Sequence, residues 1–150
     1  PRVITIDIDS VACDRAEHIP GAIVWQGLAE RRLVGFPHPI RFAWLDGHDW
    51  PYEGPEYPSG CWDEQEREYL ARGQVYSQAA SQASHLRVAE LIAPSVVAGG
   101  VIAFDDTWRD PGAPTGWGGK GGTAVPYLLG LSGFCEFTWI DQLVVVWRTG

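Results

Sequence analysis

Three apolar runs in this chain each end in aspartate, and this repeated pattern limits what the chain can fold into. The runs with their terminal acids are Val3–Ile6 with Asp7, Arg41–Leu45 with Asp46, and Val101–Phe104 with Asp105 and Asp106. Short apolar runs bounded by turn signals are typical of buried strands. In an open α/β sheet, ligands bind at the carboxyl ends of the strands. The sequence therefore predicts a sheet with a functional edge lined by carboxylates.

Helical segments separate these runs, so the sequence reads β-α-β-α-β-loop-α-β-α-β-β. Such alternation predicts a doubly wound, mostly parallel sheet with helices on both faces. The last two strands, Phe134–Ile140 and Leu143–Trp147, are separated only by Asp141-Gln142, which predicts an antiparallel C-terminal hairpin. We expect residues 1–150 to form a single domain, with the segments at 49–60 and 107–122 as long loops.

The charge and composition of the chain limit the classes of molecule that it can bind. The net charge is −8 and Lys120 is the only lysine, which disfavours nucleic acid and anionic membranes as partners. No apolar run approaches the ~18 residues of a membrane span. The three cysteines, Cys13, Cys61 and Cys135, lie far apart, as expected for reduced thiols in a cytoplasmic protein. We expect a small-molecule substrate.

Four segments, in this order, resemble class I S-adenosylmethionine-dependent methyltransferases read from their second strand onward. VITIDID resembles the second strand, and FAWLDGHDWPY the "LDG-H-Y" signature of small-molecule O-methyltransferases. Pro94–Thr107 resembles the "P-GG-V-DDT" lead into the fifth strand, and GKGGTAVPYLL the segment after it. The resemblance covers nearly the whole chain. It implies a Rossmann-like fold and methyl transfer from S-adenosylmethionine to a hydroxyl group.

The resemblance also implies a donor site, with two departures from the family. Asp7 occupies the position of the acid that binds the ribose of the methyl donor. Gln26 and Gly27 stand where family members often place an acid that contacts the adenine. The family's opening strand and its Gly-rich loop have no counterpart, since no G-x-G-x-G follows a strand here. We therefore expect either an N-terminally truncated version of the fold, in which donor binding is weak or lost, or a chain in which another segment substitutes for the loop.

In the family's sheet order, Asp46, Asp105 and Asp106 lie on neighbouring strand ends. Converging carboxylates repel one another unless a cation neutralises them, and Mg²⁺ or Ca²⁺ suits oxygen ligands. Such an ion would lower the pKa of a substrate hydroxyl. The alternative is that these acids are surface and turn residues.

We expect Asp46 and His48 to be catalytic, with His48 as a general base, a metal-shell ligand or a loop histidine. Lys120, in the Gly-rich WGGKGG, is expected to be flexible beside the site.

Two other functions fit parts of the sequence. VITIDIDS also resembles the first motif of haloacid-dehalogenase-type phosphohydrolases, in which the first Asp is a nucleophile. Those enzymes place a lysine before the later acids, whereas Lys120 follows Asp105 and Asp106.

The third possibility is a non-catalytic, oligomeric methyltransferase-fold protein. It is favoured by the missing Gly-rich loop. A missing first strand would also leave an open sheet edge that needs covering, which makes a homo-oligomer possible. The Trp-rich loops would then form a subunit interface rather than a substrate lid.

Overall fold

The computed structural model describes residues 2–51 and 60–150. The strands are β1 Val3–Asp7, β2 Ala22–Gln26, β3 Ile40–Leu45, β4 Val96–Phe104, β5 Thr107–Arg109, β6 Trp117–Gly119, β7 Phe134–Ile140 and β8 Leu143–Arg148. The helices are α1 Ser10–Glu17, α2 Ala29–Arg32, α3 Asp63–Ala71, α4 Gln78–Ile92 and α5 Ala124–Gly130, with a 3₁₀ turn at Ala93–Ser95. Most of the loop predicted at 49–60 lies outside the described residues.

The main sheet has four strands in the order β3-β4-β8-β7. β3 and β4 run parallel, and Leu45 lies opposite Phe104 at their carboxyl ends. β8 is antiparallel to both of its neighbours, β4 and β7. The predicted mixture of parallel strands and a closing antiparallel hairpin is therefore confirmed. The arrangement places the acids after β3 and β4 at one edge of the sheet.

One face of this sheet forms the core against α4 and α5. Alternate residues of β4 and β8 point to it, because side chains along a strand alternate between the two faces of the sheet. Fully buried members of this core include Ile102, Phe104, Val144, Val146 and Leu128. Burying a large apolar side chain contributes roughly 1.5–3 kcal/mol, so this layer fixes the position of the strand ends that follow it.

β1 and β2 form a separate parallel pair, and in the described part of the chain neither strand is hydrogen-bonded to the main sheet. One edge of β1 and one edge of β3 are therefore unpaired there. On β3, Phe42 and Trp44 are 61% and 51% exposed, which is high for aromatic side chains on a strand. The expected open edge is thus present, and the homo-oligomer remains a prediction.

Local signals explain most helix boundaries. Asp9 caps α1, since its carboxylate accepts a hydrogen bond from the N–H of Val11 at 2.8 Å. Gly73, with φ +71°, lies between α3 and α4 and ends the first of the two expected helices. One prediction was wrong: the loop expected at 107–122 contains the antiparallel strands β5 and β6. Within residues 2–51 and 60–150, no helix is long and apolar enough to cross a membrane.

Candidate functional site

A lysine ammonium lies among three carboxylates at the edge where β3 and β4 end. Nζ of Lys120 lies 2.5 Å from Oδ1 of Asp46, 2.6 Å from Oδ1 of Asp49 and 2.9 Å from Oδ2 of Asp106. The lysine side chain is 2% exposed, whereas the three carboxylates are between 29% and 46% exposed. Lys120 therefore reaches the carboxylates from inside the protein, and the carboxylates face solvent. We call these four residues the lysine cluster.

Lys120 is buried, so the expected flexibility of WGGKGG was wrong. The N–H of Lys120 donates to the carbonyl of Asp106 at 2.9 Å, which ties the lysine backbone to the end of β4. A Cβ on Gly119 would lie 1.8 Å from the Asp106 carbonyl oxygen, so only glycine permits this approach. The glycines here allow close packing and the placement of Lys120, rather than mobility.

Asp106, which Lys120 contacts, also has an unusual backbone conformation. Asp106 adopts φ +46°, which is uncommon for a residue other than glycine and is more common for Asp and Asn. The next residue, Thr107, is fully buried, and its N–H donates to the carbonyl of Gln142 at 2.7 Å. Its hydroxyl accepts the N–H of Gly121 at 2.8 Å. The turn after β4 is thus held by the C-terminal hairpin and by the glycine segment, and it directs the Asp106 carboxylate toward Lys120.

Helix α3 supports the second carboxylate. Nε2 of Gln65 donates to Oδ2 of Asp49 at 2.9 Å, and the hydroxyl of Tyr76 donates to Oε1 of Gln65 at 2.7 Å. The N–H of Asp49 donates to the hydroxyl oxygen of Tyr69 at 2.7 Å. Burial, together with the charge of Asp49, raises the pKa of Tyr76 to about 12. The sequence reasoning did not assign Asp49 to the site, although its spacing of three residues from Asp46 in LDGHD was visible.

Two histidines, His48 and His85, contact the segments that carry the lysine cluster. His85 is 2% exposed, and its Nδ1–H donates to the Ser81 carbonyl at 2.8 Å while its Nε2 accepts the N–H of Gly47 at 3.3 Å. Burial lowers the pKa of His85, which favours this neutral form. Nε2 of His48 lies 2.8 Å from the Val75 carbonyl and acts as donor there, and the His48 ring packs edge-on against Tyr69. His85 therefore holds the turn after β3.

The charges in the cluster control its protonation. Burial disfavours the charged form of Lys120, but the hydrogen bonds that its ammonium donates to Asp46, Asp49 and Asp106 outweigh this effect and raise its pKa. Burial and the nearby Asp46 carboxylate raise the pKa of Asp105, and a backbone hydrogen bond from Asp106 partly offsets them. The lysine is therefore charged at neutral pH, and Asp105 holds a proton more strongly than an exposed aspartate does.

The structure brings together only part of the metal set proposed from sequence. Asp46 and Asp106 approach each other as expected, and in the described residues the third acid of the group is Asp49 rather than Asp105. The residues do not fit a divalent ion in this arrangement, because the ammonium of Lys120 contacts an oxygen of each carboxylate. The cation that the acids require is thus supplied by the chain.

The residues proposed for the donor site lie together at the end of β1 and β2. Asp7 is opposite Gln26 in the parallel register, and the N–H of Gly27 donates to the Asp7 carbonyl at 2.7 Å. Gly27 has φ +135°, a conformation that favours glycine. One carboxylate oxygen of Asp7 accepts the N–H of Asp9 at 2.8 Å, and Nε of Arg32 donates to the Gln26 carbonyl at 2.8 Å. The Asp7 carboxylate is partly exposed and is oriented by this short turn.

An open cleft of about 480 Å³ lies between the segment after β2 and the start of α4. Its walls are mainly apolar and include Leu28, Val75 and Ala83, and polar groups come from Glu30, His48 and Arg87. His48, proposed from sequence as catalytic, therefore lies at this cleft as well as beside the lysine cluster.

No protein-family model and no curated protein matches this chain. Among solved structures, it is similar to an rRNA methylase from Streptococcus thermophilus, with a TM-score of 0.56 and 14% identity over 99% of this chain and 74% of that one. The chain has a methyltransferase fold. A TDP-rhamnose 3'-O-methyltransferase of calicheamicin biosynthesis is also similar, with a TM-score of 0.49 and 14% identity over 97% of this chain and 57% of that one. At 14% identity, the likeness to the rRNA methylase shows the fold of the chain, and its activity and substrate are matters for proposal.

Proposed function

We propose that this methyltransferase-fold chain transfers a methyl group from S-adenosylmethionine to a hydroxyl of a small molecule. The observation that carries the proposal is the position of Asp105, a half-buried carboxyl of raised pKa beside the lysine cluster, at the carboxyl edge of the sheet. Methyl transfer to oxygen forms an O–CH₃ bond, breaks the S–CH₃ bond of the donor and releases the hydroxyl proton. A carboxylate of raised pKa is suited to accept that proton.

The charge of the edge also favours this donor. S-adenosylmethionine carries a positive sulfonium that becomes a neutral thioether after transfer. Asp46, Asp49, Asp105 and Asp106 face one buried ammonium, so the edge has an excess of negative charge. An acidic site favours a cation over a neutral product. We assign Asp7 to the ribose of the donor and Gln26 with Gly27 to its adenine, as the family resemblance implies.

Each acid at the edge has a proposed role. Asp46 is held by Lys120 and raises the pKa of Asp105 through its charge, so we assign Asp46 to electrostatic tuning of the base. His48 donates its Nε2–H to the Val75 carbonyl and lines the cleft, so we assign it to contact with the acceptor. We assign the base to Asp105, because its raised pKa suits a carboxylate to accept a proton.

A small molecule suits this site better than a nucleic acid. Binding phosphates needs clustered basic side chains, whereas the chain has a net charge of −8 and its single lysine is buried against carboxylates. The haloacid-dehalogenase interpretation needs its nucleophile, its lysine and its later acids in one cluster. Asp7 is not among the three carboxylates that Lys120 contacts, so the lysine cluster does not favour phosphate hydrolysis.

The test begins with donor binding. S-adenosylhomocysteine is titrated into the chain by calorimetry, with Asp7→Asn as the variant and the exposed Asp14→Asn as its control. We expect saturable binding that Asp7→Asn weakens by tenfold or more and Asp14→Asn leaves unchanged. Absence of binding at millimolar ligand would instead support the non-catalytic protein.

Transfer is then measured with a methyl-labelled donor and a panel of phenols, catechols and sugar nucleotides. Methylated product with any acceptor that carries a free hydroxyl, lost in Asp105→Asn, would support the proposal. If the chain binds the donor and Asp105→Asn forms product as fast as the wild type, Asp105 is not the general base. Turnover of an aryl phosphate abolished by Asp7→Asn would replace methyl transfer by phosphate hydrolysis.

A further inference from the structure

We infer that Lys120 is a built-in cation that takes the place of a divalent metal between Asp46, Asp49 and Asp106, so that this site does not take up Mg²⁺ or Ca²⁺. Three carboxylates whose oxygens approach within 4.8 Å of one another form a group that could hold an ion. Such a group repels itself unless a cation is present. In this chain the cation is the ammonium, which lies 2.5–2.9 Å from one oxygen of each acid.

The ammonium occupies the space that an ion would need. Mg²⁺ and Ca²⁺ bind carboxylate oxygens at about 2.0–2.6 Å, and each demands at least six ligands. One oxygen of Asp49 is already used by Lys120, and the other accepts the amide of Gln65 at 2.9 Å. An ion at the centre of the three acids would therefore have to displace the lysine and also meet a carboxylate whose second oxygen is engaged.

The lysine cannot leave easily, because its backbone is fixed on both sides. Its N–H is bonded to the Asp106 carbonyl, and the preceding Gly119 lies so close to that carbonyl that a Cβ would overlap it. On the other side, the N–H of Gly121 donates to the buried hydroxyl of Thr107 at 2.8 Å. The whole side chain is buried, so the ammonium is held at one defined place.

A fixed ammonium changes how the site acts. A metal ion offers several open positions and binds two oxygens of one substrate at once. A lysine whose three N–H groups already point at three carboxylates has no donor left for a substrate. It therefore holds the acids in place and sets their charge, and substrate is left to contact the carboxylates themselves. This last consequence rests on the proposed methyl transfer, whereas the exclusion of metal does not.

The inference is tested on the metal-stripped full chain by calorimetric titration with MgCl₂ and with CaCl₂. We expect no saturable binding to the wild-type chain at millimolar ion. Binding of one ion per chain that Asp106→Asn abolishes would overturn the inference. Arg72→Ala, which removes a surface cation 3.7 Å from Glu68, is the matched control and should behave as the wild type.

A second arm removes the ammonium. Lys120→Ala is expected to bind one Ca²⁺ per chain, and Lys120→Gln, which keeps a hydrogen-bond donor, guards against loss of folding. CaCl₂ should raise the Tm of either folded variant and leave the wild-type Tm unchanged. If Ca²⁺ raises the Tm of neither variant, the acids have no need of a cation and the inference fails. Neither readout requires methyl transfer, so these results stand apart from those on activity.

Discussion

Lys120 and Asp106 are joined twice, once through the backbone and once through their side chains. The N–H of Lys120 donates to the Asp106 carbonyl at 2.9 Å, and Nζ of the same lysine lies 2.9 Å from Asp106 Oδ2. The first contact fixes where the lysine backbone lies, and the second uses that position to place a buried charge. Because the positive φ of Asp106 and the glycines around Lys120 are both needed for this double contact, the backbone of the segment and the charge of the site depend on each other.

We expect Gly119→Ala to disrupt the segment that positions Lys120. Gly119 has φ +75°, and a Cβ there would lie 1.8 Å from the Asp106 carbonyl oxygen. The control is Gly116→Ala, which has φ +76° but nothing within 4 Å of a Cβ. Gly116→Ala should cost about 1–2 kcal/mol of unfolding free energy from backbone strain alone. Gly119→Ala should cost at least about 2 kcal/mol more, as measured by urea denaturation. Equal losses in the two variants would show that the close contact is not stabilising the fold.

We expect the folded chain to lose stability below about pH 6.5 through His85. Burial lowers the pKa of His85 from its usual 6.5, so in mild acid the unfolded chain binds a proton that the folded chain resists. The free energy of unfolding therefore falls as the pH drops through this range, by at most about 1.4 kcal/mol per pH unit. Urea midpoints are compared between pH 7.5 and 5.5 for the wild type, His85→Gln and the exposed His18→Gln. His85→Gln should flatten the dependence and His18→Gln should not; the same slope in all three would contradict the role of His85.

The sequence was sufficient for the order of the elements outside residues 107–122 and for Asp46 and Asp106 of the lysine cluster. Asp46 and Asp106 follow strands directly, and the end of a parallel strand is a position that local pattern identifies. Lys120 was misjudged because it meets Asp46 across 74 residues of sequence, and WGGKGG alone does not separate a flexible loop from a closely packed one. Strands β5 and β6 were missed for the same reason, since three-residue strands with glycines carry no periodic signal.

We expect Tyr76 to make the chain less stable in alkali. Burial raises the pKa of Tyr76 from 10.0 to about 12, with the charge of Asp49 adding to the shift. The unfolded chain therefore loses this proton first, and the free energy of unfolding falls between about pH 10 and 12 as the pH rises. Lys120 acts in the same direction above its unperturbed pKa of 10.5, because its pKa is also raised. Denaturation of Tyr76→Phe should show a shallower alkaline slope than that of the wild type.

Tyr76→Phe should also cost about 0.5–1.5 kcal/mol at neutral pH, because its hydroxyl donates to Gln65 at 2.7 Å. Tyr127→Phe, on α5, is the control for loss of a tyrosine hydroxyl elsewhere in the chain. A slope unchanged by Tyr76→Phe would assign the alkaline loss to Lys120 and to Tyr69, whose pKa is also raised by burial. An equal change of slope in Tyr76→Phe and Tyr127→Phe would mean that the hydrogen bonds linking Tyr76, Gln65 and Asp49 do not cause the alkaline loss of stability.

Under the proposed methyl transfer, we expect Asp105→Asn to lower the transfer rate by about 10²–10⁴-fold, as is typical when a general base is removed. Burial and the charge of Asp46 raise the pKa of Asp105 above its usual 3.8. The base must be ionised to accept a proton, so kcat should rise as the pH increases through that raised pKa. Asp46→Asn removes the neighbouring charge and should shift the rise of kcat to lower pH, whereas the control Asp110→Asn, in the turn between β5 and β6, should leave it in place. A pH profile that Asp46→Asn does not move would show that the two carboxylates are not coupled and that the base is another group.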